Sequence, residues 1–298
     1  MTAPDFANKL CLGTAQFGSA YGISNETGFV SDSTIHAILS RCLESNITTL
    51  DTALAYGDSQ RRLGLTNLIN WNIISKLPSI RSKNIDTIES FVYEQVTSIL
   101  SDLRVSSLST LLLHDVHDLM SHYGADIYSA LQLLKKDKLI KSFGVSIYSP
   151  EDYFNLAPHY ELDVIQTPWN PFDQRLLTSG LLSVLAKQNI RVHIRSIFLQ
   201  GLLLMSAANR PAYFNKWNNH FQLWDNFCTQ LSISRLAACL NAALSVPHVE
   251  KVLIGVQNLD QLDDILAVID PNDFPSIQAL SSDENNLINP TFWPPSSR

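Results

Sequence analysis

The chain has 298 residues, 45% of them hydrophobic and 16% charged, so it can bury one large core; an eight-stranded barrel of roughly 250 residues plus extensions fits, and no second domain is required. A formal net charge of −7 with no dense Lys/Arg run argues against a nucleic-acid partner, because a phosphate track needs clustered cations. No stretch approaches about 18 uninterrupted apolar residues, and Met1 to Lys9 lacks the apolar core of a signal peptide, so the expectation is a cytoplasmic protein with no membrane partner.

In chain order, strand and helix signals alternate throughout. Apolar, β-branched runs predict strands at Lys9 to Leu12, Thr48 to Asp51, Ile73 to Lys76, Thr110 to Leu113, Ser142 to Val145, Asp163 to Gln166, Arg191 to Arg195 and Lys251 to Ile254. Helix starts are legible between them. Ser31 caps Asp32 to Ser45, Asp86 with Glu89 forms a capping pattern before Ile88 to Leu103, and Ser149-Pro150 places a cap before a proline at the first helical position. Eight strands joined by helical crossovers close most naturally into a (β/α)8 barrel, with an open doubly wound sheet as the runner-up.

Two stretches exceed a minimal barrel. Leu202 to Gln230 carries Tyr213, Phe214, Trp217, Phe221 and Trp224, which could wall a pocket as a loop or pack as an amphipathic helix at the same spacing. The helix after it is predicted near Ile233 to Val246. The tail from Pro271 to Arg298 holds five prolines and a Phe292-Trp293 pair, the pattern of an extended strap over a barrel spanning about 9–269. Arg61-Arg62 and Lys135-Lys136 with Lys138 fall on amphipathic patterns and read as solvated helix faces. Cys11, Cys42, Cys228 and Cys239 are scattered without a CxxC pair, as reduced structural thiols are, and the sequons at Asn25 and Asn46 carry no weight outside a secretory route.

Four polar residues stand where predicted strands end: Asp51, Lys76 and His114 close the second, third and fourth strands, and Tyr56 follows on the loop after Asp51. Singly, each has a plain structural explanation, as a helix cap, a packing tyrosine, a solvated lysine and a core histidine. In a parallel α/β barrel, strand C-termini converge, which would bring all four to one rim. Their chemistry suits carbonyl reduction. Hydride addition leaves an alkoxide that needs a proton, and tyrosine, with an ordinary pKa of about 10, is a reluctant donor near neutrality. A Lys76 ammonium would favour the phenolate left behind, Asp51 would hold that lysine charged, and His114 would orient the carbonyl oxygen.

Several other patterns are weak. Gly13-x4-Gly18 is followed by Ser19 where a P-loop needs lysine, and no GxGxxG occurs. His114-Asp-Val-His117-Asp118 superficially resembles metal ligands, and a metal-dependent barrel hydrolase built on His114 and His117 is one alternative; on a strand-to-loop junction, however, the two imidazoles would not share the face that a helical HExxH provides.

Leu12-Gly-Thr-Ala-Gln-Phe-Gly18, Leu50-Asp-Thr-Ala-Leu-Ala-Tyr-Gly57, Ser75-Lys76, Leu112-Leu-His114, Phe143-Gly-Val-Ser146 and Ile165-Gln166 are similar to successive signatures of the aldo-keto reductases, from about Leu10 to about Ile269. Pro168-Trp-Asn-Pro-Phe-Asp-Gln-Arg175 and Arg195-Ser-Ile-Phe-Leu-Gln-Gly201 resemble a bacterial branch of undefined substrate. The resemblance implies NADPH or NADH lying across the barrel mouth. Ser146 and Gln166 would bind its carboxamide, Arg195 and Ser196 would sit beside the nicotinamide and pyrophosphate, and Thr14 and Asp51 would lie near the ribose. The partner implied is a small carbonyl compound, with a sugar as one candidate; oligomeric state is not legible.

The sequence also departs from that pattern. Ile147 stands where many members have asparagine, which removes one carboxamide ligand, and the first strand begins about nine residues in, so the family's N-terminal hairpin plug is expected to be reduced or absent. Gly255 and Gln261 replace basic residues expected at a 2′-phosphate, while Asp260, Asp263 and Asp264 crowd the same helix start, whose N-terminus at Asn258 could still favour a phosphate oxygen. NADH is therefore credible, and a nucleotide-binding regulatory barrel with little turnover is the alternative from a different class.

Overall fold

The computed structural model describes residues 6–19, 28–81, 85 and 87–294. Eight parallel strands close on themselves in sequential order: β1 (Leu10–Gly13), β2 (Thr49–Asp51), β3 (Asn72–Leu77), β4 (Thr110–Leu113), β5 (Phe143–Ser146), β6 (Val164–Pro168), β7 (Arg191–Arg195) and β8 (Val249–Gly255), which pairs back with β1. The fold is the expected (β/α)8 barrel, and the doubly wound alternative is excluded by the β1–β8 pairing.

The surrounding helices are α1 (Asp32–Glu44), α2 (Ser59–Leu63), α3 (Ile88–Leu103), α4 (Gly124–Lys136), α5 (Pro150–Leu156), α6 (Leu181–Lys187), α7 (Asn218–Gln230), α8 (Arg235–Ser245) and α9 (Leu259–Ala267). Ser31 caps α1 through a bond from Thr34 N–H, as its position in the sequence predicts. At α5 the Asp152 carboxylate accepts from the N–H groups of Ser149 and Tyr148, both at 2.9 Å. The start of α3 differs from expectation. Thr87 occupies the cap position without a side-chain bond, and Asp86 lies outside the described residues, as do Asn25 and the last residues of the tail.

Strand side chains alternate between two cores. Outward residues such as Leu12, Leu50, Ile73, Leu113 and Val145 pack against the helices, whereas Cys11, Ile74, Leu112, Val164 and Leu253 form an apolar plug inside the barrel. That plug closes the barrel beneath its C-terminal rim, so polar side chains one step further along the same strands are carried on an apolar floor. All four cysteines are free and buried. Before β1 the described residues form a helical turn, not a hairpin, with Phe6 and Ala7 buried.

Leu202 to Gln230 is mostly helical, and its aromatics Phe214, Trp217, Phe221 and Trp224 pack inward, although Leu204, Asp225, Cys228 and Thr229 of the same stretch line the cavity at the barrel mouth. After short 3₁₀ turns, α7 and the turn before it bury Phe214, Trp217, Phe221 and Trp224, because residues three and four apart share one helix face. The strap packs on this face. Trp293 meets Phe214 edge to face at 4.9 Å, Trp217 Nε1 donates to Glu284 at 2.7 Å, and Gln174 Nε2 donates to Ile277 O at 2.7 Å.

Arg62 corrects the expectation of a solvated basic face. Its guanidinium bonds Asp32, the Phe17 carbonyl and the Val30 carbonyl, which ties α2 to α1 and to the loop after β1; Arg61 stays exposed. Among the described residues no helix is long and apolar enough to cross a membrane.

Candidate active site

A cavity of about 1120 Å³ opens at the C-terminal rim. Asp51 at the end of β2, Lys76 near the end of β3 and Gln166 in the middle of β6 form its floor, each 2% exposed or less. Lys76 Nζ donates to Asp51 Oδ1, and Gln166 Nε2 donates to Asp51 Oδ2 at 2.8 Å, so both oxygens of the carboxylate are occupied. Burial alone would pull Lys76 below its ordinary value, but the Asp51 carboxylate and the Tyr56 hydroxyl together outweigh it and hold the ammonium above the ordinary lysine range.

Tyr56 hangs over this pair, with Lys76 Nζ 3.2 Å from its hydroxyl and 5.0 Å from its ring centroid. Its loop is fixed by contact between two backbones. A Cβ on Gly18 would lie 1.7 Å from Tyr56 O, and Gly57, at φ +55°, sits so that a Cβ there would lie 2.5 Å from Gly18 O. Glycine at both positions lets the two loops touch and sets the height of the tyrosine above Lys76.

His114 completes the group from the end of β4, its ring edge-on to Tyr56 at 6.0 Å between centroids. Burial, reinforced by the nearby Lys76 and Arg195 charges, lowers its pKa to about 4. The imidazole is therefore neutral at physiological pH and available as a neutral hydrogen-bond donor.

The cofactor residues implied by the sequence line the same cavity: Thr14, Ser146, Arg195, Ser196, Gly255 and Gln261, with Asp51 and Gln166. Thr14 Oγ1 bonds Asp51 O at 3.0 Å. Arg195 stacks on Tyr148 at 4.4 Å and donates to Ser146 Oγ at 3.3 Å, Ser196 Oγ at 3.3 Å and Ile147 O at 3.1 Å. Ile147 turns its side chain into the hydrophobic core. Gln166 Oε1, fully buried, has no protein partner, and an unmet acceptor there suits a carboxamide N–H. Gln166 therefore fits a nicotinamide on an observation independent of the sequence pattern.

The start of α9 corrects the expected acidic cluster. Only Asp264 reaches the cavity; Asp263 instead pairs with Arg41 at 2.6 Å. Gln261 folds back, its Oε1 accepting from Gln257 N–H at 2.8 Å, and Asn258 caps α9 through Gln261 N–H. A Cβ on Gly255 would meet Gln16 Oε1 at 2.6 Å, so the Gln16 side chain occupies the space a longer residue would enter.

Sequence reasoning missed Gln16, Tyr148, Asp225 and Arg235. Arg235 lines the cavity and shares Asp225, at 2.9 Å, with Arg210 at 2.6 Å. Its place after the cap residue Ser234 was a usable signal; the others emerge only from packing. His117 is exposed and turned to Asp115 at 3.0 Å, and among the described residues no group of three or more His, Cys, Asp or Glu could hold a metal ion.

Comparison with known proteins identifies the fold and the family. The chain adopts the fold of the aldo-keto reductase AKR11C1 from Bacillus halodurans, both in its holo form (18% identity, 92% of each chain covered, TM-score 0.73) and in its apo form (16%, 89% of this chain and 90% of that one, TM-score 0.70). It is also similar in fold to PA4992 from Pseudomonas aeruginosa (20% identity, 87% of this chain and 88% of that one, TM-score 0.64). No curated protein matches the sequence. At these identities the structural likeness establishes the fold alone, but the sequence profile described as the Aldo/keto reductase family matches residues 9–282, most of the chain. The chain belongs to the aldo/keto reductase family.

Proposed function

We propose that the protein reduces an aldehyde or ketone with a nicotinamide dinucleotide, Tyr56 serving as the general acid. The observation that carries this reading is the Tyr56 hydroxyl 3.2 Å from a buried Lys76 ammonium whose charge Asp51 secures. When bound, the dinucleotide supplies a hydride to the carbonyl carbon. Tyr56 gives its phenolic proton to the oxygen, which becomes the alcohol, and the resulting phenolate faces Lys76 until solvent returns a proton. Neutral His114 donates a hydrogen bond to the carbonyl oxygen and aligns it with Tyr56. Ser146 and Gln166 bind the carboxamide, and Thr14 and Asp51 flank the ribose. Arg195 and Ser196 meet the pyrophosphate, a role suited to a guanidinium that stacks and pairs at once.

NADH is favoured over NADPH. Gly255 offers no cation, Gln16 fills the space beside it, Gln261 is turned to its own helix, and Asp264 faces the arm where a 2′-phosphate would add charge. The guanidinium on that arm, Arg235, is already paired with Asp225.

Tyr56→Phe tests the chemistry. Reduction of 4-nitrobenzaldehyde should fall about 10²–10⁴-fold while dinucleotide affinity, followed by fluorescence titration, stays within about twofold. Undiminished turnover would remove Tyr56 as the acid, and dinucleotide binding without turnover of any carbonyl in the unaltered protein would favour a regulatory barrel. A titration in which NADPH binds more tightly than NADH would overturn the cofactor assignment.

A further inference from the structure

A second chamber of about 610 Å³ adjoins the catalytic cavity and shares His114, Ser146 and Tyr148 with it. It therefore begins at the imidazole that holds the carbonyl in the proposed reaction, and the rest of a substrate anchored there has this space to enter. The far wall comes from the strap, through Asn285, Asn289 and Phe292.

The charged side chains nearest Tyr148 differ between its two sides. On the catalytic side, Arg195 lies against the Tyr148 ring and has no carboxylate partner among the described residues. In the second chamber the lining carboxylates are Asp115, Glu151 and Asp152, and the lining guanidinium is Arg175. Arg175 is matched by Asp173 in a two-bond pair, both at 2.8 Å, and Asp115 by Arg81 at 3.0 Å. Glu151 and Asp152 remain as net negative charge, with Glu151 held below the ordinary carboxylate range by bonds from its own N–H and from Ser149.

A polar group independent of the acidic residues also faces this space. Asn289 is 8% exposed, and its Oδ1 takes both bonds from Thr291, which leaves its amide N–H donors without a partner among the described residues. Phe292, 56% exposed, adds an apolar face at the mouth. Hydrogen-bond donors and acceptors, an aromatic face and net negative charge together describe the complement of a hydroxylated, positively charged group.

We propose that the second chamber is the distal substrate subsite and selects carbonyl compounds whose tail carries an ammonium and hydroxyl groups, such as an amino sugar, over those bearing a carboxylate or phosphate. The inference rests on the reductase reading of the same site.

The test uses para-substituted benzaldehydes. The 4-trimethylammonio and 4-nitro compounds withdraw electrons to a similar degree, so their ratio of kcat/KM isolates charge, and 4-carboxybenzaldehyde supplies the anion. The cation should be preferred over the nitro compound by about threefold, since unit charges roughly 6 Å apart interact by about 0.7 kcal/mol in water, and the preference should shrink at high salt. Glu151→Lys should bring the ratio of the cationic to the nitro compound below one. Equal kcat/KM for the two in the wild type, or a preference that Glu151→Lys leaves unmoved, overturns the inference while leaving the reductase reading intact. If no aldehyde is turned over, the reductase reading falls, and calorimetric titration with the corresponding benzyl alcohols still decides the subsite: tighter binding of the ammonium alcohol supports it, and equal binding removes it.

Discussion

Lys76→Met separates the two things the buried ion pair does. The substitution leaves Asp51, 2% exposed, with Gln166 Nε2 as its remaining side-chain donor and no neutralising charge. Removing one partner of a buried pair costs about 3–5 kcal/mol, because the abandoned charge stays desolvated. For 298 residues, an unfolding entropy of about 2.1 cal/mol/K per residue converts this to a melting point lower by about 5–8 °C. Adding Asp51→Asn removes the stranded charge, so the double variant should regain most of that loss. Aldehyde reduction should stay down about 10²–10⁴-fold in both variants, since neither presents an ammonium to Tyr56. Calorimetry or thermal circular dichroism reads the first quantity, and reduced-nicotinamide absorbance with 4-nitrobenzaldehyde reads the second. The sign with pH follows from the Lys76 shift: its folded pKa lies above the unfolded value, so the contribution is complete below about pH 10.5 and is lost only as pH rises through the folded value. A single variant as stable as wild type, or a double variant that melts no higher than the single, would refute the stranded-charge account; recovered turnover in the double variant would refute the role of the ammonium.

Burial that lowers His114 to about 4 makes the folded state refuse a proton that the unfolded chain accepts near 6.5. Stability should therefore decline as pH falls from about 6.5 toward 4, by at most about 3 kcal/mol for a half-buried group, and denaturant titrations of His114→Gln should show a flatter slope in that window. Because the imidazole is neutral throughout, the turnover profile should show no inflection near pH 6.5. Gly255→Lys with Gln261→Arg should shift the ratio of NADPH to NADH affinity at least tenfold toward NADPH, or about 1.4 kcal/mol, since the group a new Cβ would meet is the movable end of Gln16; an unchanged ratio would place 2′-phosphate recognition elsewhere. Gly18→Ala should lower kcat more than it lowers dinucleotide affinity, because its Cβ would displace the Tyr56 backbone; loss of affinity equal to the loss of kcat would mean that the loop serves the cofactor.

Much of the site was legible because strand ends carry it. Asp51, Ser146 and Arg195 end their strands, His114 follows one, and Lys76 and Gln166 lie one and two residues before a strand end; parallel strands in a closed barrel send those ends to one rim, so local pattern sufficed. The bounds of Thr110–Leu113 and Arg191–Arg195 follow from their apolar runs and flanking breaks. Local pattern could not choose between a loop and a helix for Leu202 to Gln230, since aromatic spacing of three to four suits either until a neighbour covers one face. Phe172 and the strap provide that cover, packing against Phe221 and Phe214.

The sequence by itself determined the number and order of the strands, their helical crossovers and the polar residues at their ends, because those depend on periodicity and short-range capping. Only the tertiary structure decided the charge relations. Arg62 became a tie between two segments instead of a solvated cation, Asp263 turned away to Arg41, Asp264 stayed in the cavity, and Gln16 moved into the space above Gly255. Each outcome depends on which group from a distant part of the chain arrives within a few ångströms, and Coulombic and hydrogen-bond energies vary too steeply with distance and burial to be read from sequence order.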